Sequence, residues 1–120
     1  MLPEAHRLHT AADFRLVVRR GRRASRPLLT VHLLPPRPED VSTGPARAGL
    51  VVSKAVGGSV VRHRTSRRLR ALLLPRLAPL AAGTRLVVRA APGSGQVPSS
   101  ALAADLDEAL TSAGRPRSRR

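Results

Sequence analysis

Few residues in this chain could make or break a bond. There are four histidines, His6, His9, His32 and His63, and no cysteine. Without cysteine there is no disulfide, no zinc–thiolate site and no thiol nucleophile. His6 and His9 have only Glu4 as a nearby acid, a thin set for a metal. His32 lies in the apolar run LLTVHLL (28–34). It reads either as a core histidine or as a residue lining one sheet face. Ser53 and Lys54 are neighbours, and neighbouring strand residues point to opposite faces, so they make no dyad. Paired carboxylates are missing from the basic region, and a protein-borne metal nuclease is poorly supported. Positive charge, by contrast, is concentrated. In KAVGGSVVRHRTSRRLRALLL (54–74) a small-residue turn runs into Arg62, His63, Arg64, Arg67, Arg68 and Arg70, with no acid. The chemistry that suits such a run is phosphate binding, because guanidinium forks onto phosphate and stacks on bases.

The rest of the composition points the same way. The 120 residues fit one domain, and 42% of them are apolar. Phe14 is the only aromatic, so the core is aliphatic. Lysine and arginine number 22 against 7 acids, a net charge of +15. An excess of this size attracts polyanions, nucleic acid first and an anionic membrane second. Lys54 is the only lysine. The preference for arginine suits RNA or DNA, although GC-rich coding would produce it too. No apolar run approaches the ~20 residues of a membrane span. The N-terminus lacks the basic-then-apolar order of a secretory signal. The expected location is cytoplasmic, with no membrane partner.

The elements that position the arginines can be read from periodicity and punctuation. Thr10 and Asp13 resemble a capping box. Ala11, Phe14, Val17 and Val18 fall at helical spacing, and Gly21 suits the end of that helix. Strands are predicted at 28–34, 48–53 and 84–90. The stretch 35–46 reads as a flexible loop and 91–98 as a turn. The basic helix is predicted over 59–74, with Pro75 and Pro79 either ending it or starting an irregular stretch. Ser99 or Ser100 caps a last helix with Leu102, Leu106, Ala109 and Leu110 on one face. The expected domain covers 1–112, and 113–120 reads as a basic disordered tail. The order α-β-β-α-β-α makes a single small α+β domain with one helix-covered sheet.

At ~100° per residue, Val61, Thr65, Leu69 and Leu72 share an arc suited to packing on the sheet. Arg62, His63, Ser66, Arg67 and Arg70 fall on the adjoining arc, with Arg64 and Arg68 on the other flank. A solvated charged face normally intersperses acids at i,i+4, and this one has none. Ala55, Gly57, Gly58 and Ser59 leave backbone N–H groups open to an anion. The glycines follow the lysine, so this is not a P-loop.

The run VVSKAVGGSVVRHRTSRRLR (51–70) resembles the signature of the bacterial ribonuclease P protein family. HRL (6–8), DF (13–14), RRG (19–21) and TRLVVRA (84–90) agree in order and spacing, so the likeness extends from residue 6 to about 112. It implies a fold like ribosomal protein S5 domain 2, with a left-handed β-α-β crossover in place of the usual right-handed one. It also implies a protein that joins a catalytic RNA to remove the 5′ leader from precursor tRNA. In that case the RNA carries the hydrolysis with bound magnesium. The protein binds the leader, strengthens substrate affinity and supports metal binding by the RNA. It would need no obligate protein partner, no metal of its own and no catalytic residue.

The resemblance assigns Lys54, Arg62, His63, Arg64, Arg67, Arg68 and Arg70 to RNA. Phe14, Val18, His32 and Arg89 would form the leader cleft. Departures from the family pattern are His63 for Asn, Ser66 for Lys and Ser59 for Ala. His63 can still donate and accept hydrogen bonds, while Ser66 removes one charge. Val18 stands where the family commonly has a second aromatic, so the cleft leans on aliphatic contact and arginine. Two other classes fit the charge less completely. A structural RNA-binding protein would bind without affecting cleavage, and a stand-alone nuclease would cleave without added RNA. A membrane-active helix would want interfacial Trp or Phe.

Overall fold

Thr10 opens the first helix. Its hydroxyl accepts the Asp13 N–H at 3.0 Å, and α1 follows over Ala11–Arg20. The Asp13 carboxylate turns to Arg85 Nη1, 3.6 Å away, so the helix start is tied to the sheet. At the other end the Gly21 N–H donates to Val17 O at 2.7 Å. A Cβ on Gly21 would collide with that same oxygen. The chain is seen in a computed structural model that describes residues 2–36 and 44–114.

After α1 come β1 (Arg22–Ser25), β2 (Leu29–Leu34), β3 (Arg47–Val51), α2 (Ser59–Leu77), β4 (Arg85–Ala90) and α3 (Ser99–Gly114). The sheet order is β1-β2-β4-β3. β2 runs antiparallel to β1 and β4, while β3 and β4 are parallel. The result is a single α+β domain with three helices and a four-stranded mixed sheet. Three strands were expected, and β1 is the addition. Its sequence, RRAS, has only Ala24 buried, so it carries no hydrophobic alternation. β1 forms because β2 offers it a ladder.

Side chains alternate across the sheet, as the strand period requires. On one face Leu29, Val31, Leu33, Leu86 and Val88 pack against Leu69, Leu73 and Leu77 of α2 and Leu102, Leu106 and Ala109 of α3. On the other, Leu34 and Val87 meet Val17 of α1 and Leu8. The outer edge of β3 is covered by the N-terminal segment. Leu8 N–H donates to Ala48 O at 3.1 Å, and His6 Nδ1 lies 3.0 Å from Ala46 O.

Two further differences from expectation have physical causes. α2 does not stop before Pro75 but continues to Leu77. Proline removes one helical N–H, yet Leu73 and Leu77 are buried on either side of it and hold the last turn to the core. Arg76 also donates to Leu72 O at 2.8 Å. Second, α3 runs through Gly114, so residues 113–114 are helical rather than tail. Residues 115–120 of the expected tail and 37–43 of the expected loop lie outside the described residues.

Two acids of α3 tie it to its neighbours. Asp105 Oδ2 accepts the Leu28 N–H at 2.9 Å, and Arg26 Nε lies 3.6 Å from its other oxygen. Asp107 takes two bonds from Arg76, at 2.6 and 3.1 Å. Those bonds hold the Asp107 carboxyl below its usual range, against a smaller opposing effect of desolvation.

Candidate nucleic-acid interface

The turn before α2 is built to display Lys54. Ser53 Oγ accepts the Ala55 N–H at 3.4 Å, and Val56 is buried as an anchor. Gly57 follows at φ 154°, where only glycine is unstrained, and a Cβ there would also press on Val61. Lys54 is left exposed at the turn.

α2 is seated along one side and open along the other. Thr65, Leu69, Leu73 and Leu77 are buried, with Val61 and Leu72 half-buried. Thr65 Oγ1 donates to Val61 O at 2.8 Å, so the buried hydroxyl is satisfied. On the open side His63 and Arg67 are exposed, flanked by half-buried Ser66 and Arg70. Ser59, Val60, His63, Arg64 and Arg67 line a shallow hollow of about 440 Å³.

The arginines are not equivalent. Arg64 Nη2 donates to Gly95 O and Arg68 Nη1 to Val97 O, both at 3.1 Å. These two therefore clamp the turn after β4 onto α2. That turn lies close, since a Cβ on Gly95 would run into Val61. Arg62 is half-buried, and its Nε is buried without a hydrogen-bond partner. Lys54, Arg62, His63, Arg64, Arg67, Arg68 and Arg70 make no ion pair with a described residue.

A second surface lies across the sheet. Phe14, Arg15, Val18, Arg19, Val51 and Arg89 line a groove of about 530 Å³. The Phe14 ring rests over Gly49 of β3 so closely that a Cβ there would overlap it. Gly49→Val should therefore displace the ring and destabilise the domain by about 1–3 kcal/mol, the usual cost of overpacking. A urea melt measures that cost.

Phe14, Val18 and Arg89 are thus brought together, as the sequence reading placed them. Arg15, Arg19 and Val51 join them unanticipated. Arg15 and Arg19 sit one turn apart, each next to an apolar groove residue, and a helical wheel would have found them. His32 is on the same sheet face but does not line the groove. It pairs across the strands with Arg23 and Val87 and is 7% exposed, with Nδ1 buried and unpartnered.

Burial pushes the His32 pKa below its ordinary value of 6.5, and the charges of Arg23 and Arg89 add to the effect. The unfolded chain then binds the extra proton first. Stability is full above about pH 6.5 and is lost as pH falls through the folded value. His32→Leu should flatten this part of the profile, which urea melts at neutral and mildly acid pH would show. Undiminished acid loss in the variant would assign the effect elsewhere.

Among the described residues no three His, Asp or Glu side chains gather as a metal set. No helix is long and apolar enough to cross a membrane among those residues.

Comparisons with known proteins bear on the family and the fold. The family model described as Ribonuclease P matches residues 2–114. The ribonuclease P protein component of Streptomyces bikiniensis is 54% identical, covering 92% of this chain and 93% of the relative. That of Salinispora tropica is 46% identical, covering 100% and 98%. Among solved structures, the RNase P protein of Staphylococcus aureus superposes with a TM-score of 0.78 at 22% identity, covering 92% of this chain and 97% of that one. The Thermotoga maritima protein gives 0.70 at 21%, covering 89% and 96%. The two structures share the fold. The family model and the relatives carry more: the chain belongs to the ribonuclease P protein family, the protein components of that tRNA-processing enzyme.

Proposed function

We propose that the chain holds ribonuclease P RNA on the open side of α2 and the 5′ leader of precursor tRNA in the α1 groove. As the protein subunit it assists the catalytic RNA in maturing the 5′ end. The observation that carries the RNA contact is the open side of α2. Its cations have no acid partner among the described residues, on a helix whose other side is fully seated. Phosphates supply the missing counter-charge.

The groove suits a single strand. Phe14 offers one stacking face, Val18 and Val51 offer aliphatic contact, and Arg15, Arg19 and Arg89 stand around them for the backbone. His32 supports the groove from beneath the surface. In this reading the RNA holds the magnesium ions used in hydrolysis. The protein contributes affinity for substrate and lowers phosphate repulsion around those ions.

The test is cleavage of a labelled precursor tRNA at low magnesium, with the protein alone, the RNA alone and the two mixed. Stimulation only in the mixture, giving a mature 5′ end, is the expected result. Cleavage by the protein alone would overturn the assignment. RNA binding without stimulation would leave a structural RNA-binding protein.

A further inference from the structure

We propose that the hollow on the open side of α2 receives one unpaired nucleobase of an RNA partner, packed on Val60 and stacked on His63. The proposal rests on the reading of α2 as the RNA-facing helix. Val60 is 76% exposed, against 37% for Val18 and Leu74, the other exposed large apolar residues described. A lone surface valine needs no explanation, but this one sits among cations. His63, Arg64 and Arg67 line the hollow with it, and none has an acid partner among the described residues. An occupant must satisfy both features at once, with an apolar face for Val60 and negative charge for the arginines.

A nucleotide has both, but only when its base is out of a helix. A duplex would present phosphates and 2′-hydroxyls to the ridge and keep its base faces stacked inside. Splayed bases are held by ring stacking and by arginine planes. His63 carries the only stacking ring on α2, and Phe14, the chain's single Phe, Tyr or Trp, lies across the sheet. Arg64 is already held by Gly95 O at 3.1 Å, so one wall of the hollow is ordered before RNA arrives. Ordering in advance reduces the entropy lost on binding.

The chain has no cysteine, so Val60→Cys gives a unique attachment point for an aryl azide. The labelled protein is assembled with full-length ribonuclease P RNA and precursor tRNA, irradiated, and the crosslinks are mapped on both RNAs. The expected result is a crosslink confined to an unpaired nucleotide, and the RNA carrying it identifies the source. In parallel, His63→Ala should weaken binding of that RNA about tenfold without changing the salt slope, and His63→Phe should restore it. Both side chains are exposed, and thermal melts are run to check that the variants fold. Crosslinks spread along paired helices, crosslinks to neither RNA, or a Phe variant as weak as the Ala variant would each overturn the proposal. If the wild-type chain stimulates cleavage while the crosslinks lie in duplex, only the nucleobase site fails. If it stimulates nothing, the subunit reading fails first.

Discussion

Arg67→Ala and Arg68→Ala, measured side by side, should separate two kinds of arginine on one helix. Arg67 is exposed and makes no ion pair with a described residue. Each phosphate neutralised contributes about 0.7–0.9 to the slope of log affinity against log salt, the lower value for single strands. Arg67→Ala should therefore lower the magnitude of that slope by about 1, weaken RNA binding most at low salt, and change stability by less than about 0.5 kcal/mol. Arg68 donates to Val97 O at 3.1 Å. Arg68→Ala should leave the slope nearly intact and cost about 1.5–3 kcal/mol of stability, the range for a hydrogen bond that involves a charged group. Filter binding over a salt series and urea melts read the two effects. Equal slope changes in both variants would mean that the clamp does not hold in solution. For the wild-type complex, about four neutralised phosphates would cost roughly a hundredfold in affinity between 50 and 200 mM salt.

Leu69→Ala should remove a large share of the domain's stability. Leu69 is fully buried between α2 and the sheet. Truncating such a leucine costs about 2–5 kcal/mol through lost transfer energy and the cavity left behind. Domains of this size are stable by about 5–15 kcal/mol in total. Leu74, on the same helix but 37% exposed, is the control: Leu74→Ala should cost a small fraction of that. The folded remainder of Leu69→Ala should bind RNA normally, since no cation has been touched. A cost below about 1 kcal/mol would contradict the tight seat of α2.

The basic helix was legible because its signal is redundant: an apolar stripe at helical spacing and a run of arginines free of acid. Phe14, Val18 and Arg89 could be placed on one cleft because the family pattern places them. β1 was not legible, because Arg22, Arg23 and Ser25 have no strand preference and the element exists only by pairing with β2. Pro75 was read as an end or a break in the helix, since local preference says so, and the burial of Leu73 and Leu77 overrides it. Gly49 looked like an ordinary strand residue. Its lack of a side chain matters only once the Phe14 ring lies across it. The clamp is the deepest omission. Arg64 and Arg68 had been assigned wholly to RNA. The carbonyls they meet belong to Gly95 and Val97, and nothing in a string of residues marks a backbone oxygen as a partner.

The strand order has a consequence for how the chain is made. β4 sits between β2 and β3 and pairs with both, yet it is the last strand to be synthesised. Until Ala90 has left the ribosome, β1 and β2 can form only a hairpin, and β3 has no strand to pair with beyond the short N-terminal contact at Ala48. α2 emerges earlier, with its arginines formed and its apolar stripe uncovered. Non-local pairing of this kind is slow, and exposed apolar surface in the interval invites aggregation. A nascent chain that stalls just before β4 would therefore present a strongly basic, sticky helix with no sheet to receive it.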